Sequence, residues 1–234
     1  MHFETPLLRG RFERRYKRFF ADVTLDTGES VVSHCANSGS MKGCLEAGCE
    51  AWVSRAADPN RKLAYSLELL RPYGALCLVN TARPNALVHE AVVADSIPEL
   101  AGYAEVRREV KYGDEASRID LLLRAPDRPD CYVEVKSATM GVGGGLTRFP
   151  DAVTTRGTKH LRELAAMVRQ GHRAVLLFCA SRDDTLAVEP ADDLDPEYGR
   201  TLRAVAEAGV EVLAYRWSLS PTTLELGARV PVQL

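Results

Sequence analysis

Apolar and polar positions alternate in short runs over the first third of the chain. Phe19 to Leu25, Ser30 to Cys35, Glu50 to Ser54, Leu63 to Leu70 and Leu76 to Val79 each read as a strand bounded by turn residues. Asp26-Thr27-Gly28-Glu29 turns the first of these into the second as a hairpin, and a loop rich in Gly, Asn and Ser follows at 37–43. Five short strands in so short a stretch predict a small barrel, of the OB or SH3-like kind.

The period changes near Asn80. Thr81 is the expected N-cap of a helix whose first turn holds Pro84, and Leu87, Val88, Ala91 and Val92 share one face of it. Strands are expected at 104–112, 118–124 and 131–139, followed by a glycine-rich loop at 141–145. A helix over about 155–170 carries Leu161, Leu164, Ala165 and Val168 on its apolar side and is stopped by Gly171. Ala174 to Cys179 is continuously apolar, as in a strand covered on both faces. A helix over about 196–208 and strands at 211–216 and 224–232 complete the pattern. The fold class expected is α/β (α+β): a barrel over residues 1–80, then a mixed sheet flanked by helices over 81–234.

Composition narrows the function. Hydrophobic residues make up 46% and charged residues 26%, which is globular and excludes disordered and fibrous classes. No apolar run approaches the roughly 20 residues of a membrane helix. The charged start, Met1 to Arg15, lacks the core of a signal peptide, so the expected compartment is the cytoplasm. A net charge of −2 excludes a protein that coats nucleic acid by bulk charge. Residues 1–80 are the more basic part, with 11 Lys and Arg against 9 Asp and Glu. None of the six cysteines forms a CxxC pair. Cys35, Cys44 and Cys49 with His34 fit no standard zinc spacing, so buried, reduced thiols are expected.

The candidate chemistry lies in the second part. Glu134 and Lys136 are two apart on a strand and share a face, while Val133 and Val135 point into the core. Asp120 heads the preceding strand, so its carboxylate and that of Glu134 can converge. Two carboxylates suit a hard cation, Mg²⁺ or Mn²⁺, and an adjacent Lys can align a water for phosphodiester hydrolysis. The bland alternative is a solvated strand face of cross-strand ion pairs. Glu90, on the first helix, is a further carboxylate candidate; by itself it reads as a surface residue. Arg156, Lys159 and His160 open the long helix, where N-terminal N–H groups attract phosphate; the alternative is a helix-start loop with an ordinary solvated face. Arg14, Arg15, Lys17 and Arg18 sit among Phe12, Tyr16, Phe19 and Phe20, a mixture suited to nucleic-acid backbone contact and base stacking. The alternative is an exposed charged strand whose aromatics are core.

These segments resemble the sugar fermentation stimulation protein family. The resemblance spans nearly the whole chain and rests on PLLRGRFERRYKRFFADV (6–23), HCANSGSMKGC (34–44), NTARPNALVHEAV (80–92), EVKYGDEASRIDLLL (109–123), CYVEVKSATM (131–140), FPDAVTTRGTKHLREL (149–164) and Asp195-Pro196-Glu197-Tyr198. Ser38, Ala138 and Met140 are slight departures from the family pattern. The resemblance implies an OB-like N-terminal barrel and a PD-(D/E)XK, restriction-endonuclease-like C-terminal domain. It implies a metal and catalytic set of Glu90, Asp120 and Glu134, with Lys136 beside it. It also implies DNA binding, with a regulatory role in sugar metabolism, notably of maltose. Three functions are therefore weighed: a metal-dependent nuclease acting on DNA or RNA, a DNA-binding regulator that does not cleave, and a metal-binding interaction protein. An intact carboxylate–carboxylate–Lys set favours the first, since clustered negative charge opposes phosphate binding. No helix-turn-helix signature is present to read an operator.

Overall fold

A computed structural model describes residues 1–234 except 59 and 114–116. The first part is a closed barrel of β1 (Leu8–Tyr16), β2 (Phe20–Leu25), β3 (Ser30–His34), β4 (Glu50–Arg55) and β5 (Tyr65–Arg71). Strand order runs β3-β2-β1-β4-β5, and a parallel β3–β5 pairing at Ser33↔Tyr65 and His34↔Ser66 shuts the ring. Closure removes the free edges that would otherwise invite pairing with another chain. One of the five expected strands is not in the ring: β6 (Cys77–Leu78) only adds to the outside of β5. Its place is taken by β1, the basic segment. Phe12 faces the barrel interior at 2% exposure while Arg11, Glu13 and Arg14 face out. The interior also takes Cys35, Cys44, Cys49 and Met41. All six cysteines are buried and unbridged, and the neighbour of Cys44 is Cys77, with its sulfur 3.6 Å away.

Helix α1 (Arg83–Val93) leads into β7 (Glu105–Tyr112), β8 (Ser117–Ala125) and β9 (Arg128–Ala138). Thr81 is not the cap of α1: its hydroxyl donates to the Ala36 carbonyl, and Asn80 Oδ1 accepts from the Ala82 N–H instead. The glycine-rich loop is the turn of a small hairpin, β10 (Met140–Gly143) and β11 (Leu146–Phe149). Helix α2 (Thr155–Arg169), β12 (Arg173–Ala180), β13 (Ala187–Pro190), α3 (Pro196–Glu207), β14 (Glu211–Leu219) and β15 (Leu224–Arg229) follow. β13 pairs in parallel with β11, a contact that no local pattern announced.

The second sheet has the order β15-β14-β12-β9-β8-β7. Its centre, β9, β12 and β14, is parallel and joined by the α2 and α3 crossovers; β7, β8 and β15 run antiparallel to their neighbours. The parallel strands are covered on both faces, which explains the apolar run of β12. One face packs on α1 through Val133, Val135, Leu121 and Leu177, and this cluster continues into Trp52, Leu69 and Leu78 of the barrel. The other face packs on α2 and α3 through Leu161, Leu164, Tyr198 and Leu202. A single apolar cluster thus joins the barrel to the sheet, with α1 between them.

Candidate active site

The site forms where β8 and β9 part. Their ladder begins at Leu121↔Val133 and runs away from the site to Ala125↔Arg128. Asp120 and Glu134 are the next positions on the two strands. There Asp120 Oδ2 accepts the Val135 N–H at 2.7 Å, so a side chain replaces the strand partner that β9 lacks. Asn85, in the first turn of α1, donates to Asp120 Oδ1 at 2.6 Å and fixes the carboxylate from the other side.

Glu134 is only 2% exposed. The expectation of alternating faces holds, but the solvated-face alternative does not, because α2 covers this side of β9. Lys136 Nζ donates to Glu134 Oε1 at 2.6 Å. His160, buried on α2, also hydrogen-bonds to Glu134 Oε1. Its Nε2 accepts from Arg156 Nε at 3.3 Å, so the ring proton belongs on Nδ1, where it is donated to the carboxylate. Glu134 Oε2 is buried with no hydrogen-bond partner. Burial pushes Asp120 up to about 6, and the Glu134 charge adds to the effect. Burial acts in the same direction on Glu134, but its bond to His160 and the charge of Lys136 outweigh it and hold the group below the usual carboxylate range. Two neighbouring buried carboxylates whose surroundings push their pKa values apart make this cluster a candidate functional site.

The cluster opens into a cleft of about 800 Å³ between the barrel and the sheet. Of the residues expected to touch nucleic acid, Arg15, Arg18, Arg156 and His160 line it. Arg15 is spoken for: its guanidinium donates to the carbonyls of Asn37, Gly39 and Ser40. Arg14 does not face the cleft; it pairs with Asp22 at 2.8 Å on the barrel surface. Lys17 is exposed in the β1–β2 turn, outside the cleft lining, and Lys159 is half-buried on α2, also outside it. Glu90 is not brought to the cluster. It is exposed and pairs with the N-terminal ammonium at 3.2 Å. Asn85 is the α1 residue that reaches the site. It lies five positions earlier, roughly 140° around the helix axis from Glu90, so one helix face cannot present both. Sequence reasoning also missed Glu109, Asp151 and Arg148, which line the cleft. Glu109 takes a left-handed backbone (φ 54°) where β7 skips a pairing position opposite β8. The β7–β8 register is the same on both sides of it, and such a local backbone excursion has no signal in the sequence.

The arrangement agrees with comparisons to known proteins. A family model for the sugar fermentation stimulation protein RE domain matches residues 82–223, and one for the SfsA N-terminal OB domain matches residues 14–79. The chain belongs to the sugar fermentation stimulation protein family. Homologues of that name from Pseudomonas paraeruginosa and Maricaulis maris are each 52% identical to it, aligned over 100% of this chain and over 100% and 99% of theirs. The structure of SfsA from Pyrococcus furiosus, in complex with Ca²⁺, superposes with a TM-score of 0.89 at 25% identity, covering 100% of this chain and 98% of that one. An OB-like barrel followed by a restriction-endonuclease-like mixed sheet is therefore the fold of this family member.

Proposed function

We propose that this chain is a nucleic-acid-binding protein whose C-terminal part, residues 81–234, is a divalent-metal-dependent phosphodiesterase, with the barrel of residues 1–80 as the nucleic-acid-holding part. The observation that carries this reading is the buried carboxylate pair, Asp120 and Glu134, with a Lys ammonium beside it at the floor of a cleft between the two parts. The donor set fits a hard cation. Glu134 Oε2 is buried and unpartnered, and Asp120 is pushed up to about 6 by burial first and by the neighbouring Glu134 charge second. The Pyrococcus furiosus relative, whose structure is a Ca²⁺ complex, is consistent with divalent binding by the family. Asp120 and Glu134 would hold Mg²⁺ or Mn²⁺, which supplies Lewis acidity to the scissile phosphate and lowers the pKa of water.

The protein's own groups do the rest. Asn85 and the Val135 N–H aim Asp120. His160 holds Glu134 in place, and Arg156 fixes the His160 tautomer. Lys136 offsets negative charge and orients the attacking water. Glu90 has no part in this set. One observation favours the second reading, a DNA-binding regulator that does not cleave: among the described residues no three acidic, His or Cys side chains converge as a ready ligand group.

Labelled single- and double-stranded DNA and RNA, incubated with Mg²⁺, Mn²⁺ or EDTA, decide between them. Metal-dependent cutting that disappears in Glu134→Ala and in Lys136→Ala supports the nuclease. No cutting of any substrate, with binding unaltered in both variants, supports the regulator.

A further inference from the structure

Building on the nuclease reading, we infer that the cleft takes an unpaired nucleic-acid strand and excludes a duplex, because a strap from the barrel closes over one side of it. The strap is the segment 37–41 between β3 and β4. Arg15 holds it from the barrel side through the carbonyls of Asn37 at 2.7 Å, Gly39 at 3.0 Å and Ser40 at 3.3 Å. Asp151, on the approach to α2, holds it from the sheet side. Ser40 Oγ donates to the Asp151 carbonyl at 2.6 Å, and the Met41 N–H donates to Asp151 Oδ2 at 2.7 Å. The end of the strap is plugged into the barrel, where Met41 is fully buried. A Cβ on Gly39 would stand 2.6 Å from Asp151 Oδ2, so strap and far wall already touch.

The half-open space beside the strap suits a few nucleotides. Its volume of about 800 Å³ is that of a cofactor-sized pocket, which spans roughly 300–1,000 Å³. A duplex is instead gripped along an open protein surface of roughly 1,000–2,500 Å². Two further features point to unpaired bases. Arg18 and Arg156 line the cleft, and neither pairs with a carboxylate among the described residues; Arg156 gives its Nε to His160, and its remaining N–H groups and the Arg18 guanidinium can meet phosphates. Phe19, next to Arg18 in the chain and outside the cleft lining itself, is 43% exposed and stacks on His34 with ring centroids 6.4 Å apart. An exposed aromatic that follows a cleft-lining Arg in the chain can take a base of a strand leaving the cleft, if the face of that base is free, and the faces of paired bases are already stacked.

The test separates this inference from the reading beneath it, because its first readout is binding without metal. Fluorescence anisotropy in EDTA compares the full-length protein on one oligonucleotide sequence presented as single-stranded DNA, single-stranded RNA and duplex DNA. The expected result is at least about tenfold tighter binding of a single strand, and a loss of about fivefold or more of that affinity in Phe19→Ala with duplex affinity unchanged. The DNA and RNA arms show which sugar the cleft accepts. Cleavage in Mn²⁺ then compares wild type with Asp151→Ala, which releases the strap, and with the milder Ser40→Ala should the first fail to fold by its melting temperature. Either release should raise the ratio of duplex to single-strand cutting. Equal binding of duplex and single strand, or no binding of either, overturns the inference. Equal cutting of both, abolished by Glu134→Ala, overturns it while the nuclease stands. Selective single-strand binding without any cutting upholds the strand selectivity and sinks the nuclease.

Discussion

The barrel and the sheet carry their charges in opposite ways. On the barrel, Arg9, Arg14 and Arg71 all lie beside acids on neighbouring strands or the β2–β3 turn, Glu50, Asp22 and Asp26, with the guanidinium groups reaching water. Such exposed pairs contribute about 0–1 kcal/mol each and can be rearranged at little cost. On the sheet, Asp120 and Glu134 are buried side by side, one pushed up in pKa and the other with an oxygen that has no partner. Burying charge without full compensation is costly. A fold keeps such an arrangement where a ligand completes it. The contrast teaches that basic residues in a sequence mark a surface, whereas two buried acids side by side at a cleft mark a candidate site; one unpartnered oxygen is not enough, since Asp22 Oδ1 on the barrel is also buried without a partner.

Removing the buried anion is the severest challenge to that contrast. Glu134→Gln keeps the shape, and its side chain can still accept from Lys136, but the charge is gone. Single-turnover cleavage should fall by about a hundredfold or more, while the melting temperature in EDTA should change little. Cutting at the wild-type rate would mean that the sheet's acids are as dispensable as those of the barrel.

Glu68 sharpens the comparison, because it is a buried charge with every oxygen satisfied. It is 1% exposed and accepts from Ser54, Asn80 and twice from Arg83, with distances between 2.7 and 3.0 Å. These bonds tie β5 to the start of α1, so this charge is structural. Arg83→Ala strands the carboxylate and should cost about 2–3 kcal/mol in urea unfolding, the partial exposure of Arg83 moderating the loss. Metal-dependent cleavage by the variant should persist at temperatures where it is folded.

Asp120→Asn should show the reverse sign. Burial first, and Glu134 second, raise the folded-state pKa of Asp120 from 3.8 to about 6. Between those values the folded protein binds a proton that the unfolded chain has released, so this group lowers stability as pH rises from about 4 to 6. The substituted amide would carry no charge, could still accept from the Val135 N–H, and could pair with a flipped Asn85. In EDTA at pH 7 the variant should be more stable by about 1–2 kcal/mol, with a flatter pH profile over that window, and it should not cleave. A destabilised variant would mean that the two hydrogen bonds to Asp120 outweigh its repulsion from Glu134.

How far the sequence could be read depended on how local the cause was. The two parts, the three-strand meander and the three helices were legible because each rests on periodicity within its own segment. Glu134 and Lys136 were legible because strand alternation is strict, and Asp120 because it heads the neighbouring strand. Glu90 misled, since a carboxylate on the right helix is not thereby on the right face. Asn85 was hidden by its chemistry: an amide that aims a carboxylate looks like any polar residue at a helix start. The left-handed backbone at Glu109, the β11–β13 pairing and the strap on Asp151 join segments far apart in sequence or depend on backbone angles, and periodicity reports neither. In the basic segment, composition suggested four equivalent contact residues, Arg14, Arg15, Lys17 and Arg18. Strand alternation and the turn at 17–19 give them different surroundings.

That division among neighbours supplies the smallest effect. Arg14 is exposed, paired with Asp22 and outside the cleft, whereas Arg18 lines the cleft without a carboxylate partner among the described residues. A phosphate contact releases counterions, so losing one reduces the slope of log affinity against log salt by about 0.7 for a single strand. Arg18→Ala should show that reduction, with weaker binding at low salt. Arg14→Ala should leave the slope alone and alter stability by no more than about 0.5 kcal/mol. Binding isotherms at several salt concentrations measure both. If the two variants lose slope equally, the barrel's outer surface holds nucleic acid as well as the cleft does. Net basicity would then matter more than position, and the contrast between the paired charges on the barrel's outer surface and the charges that line the cleft would cease to predict contact.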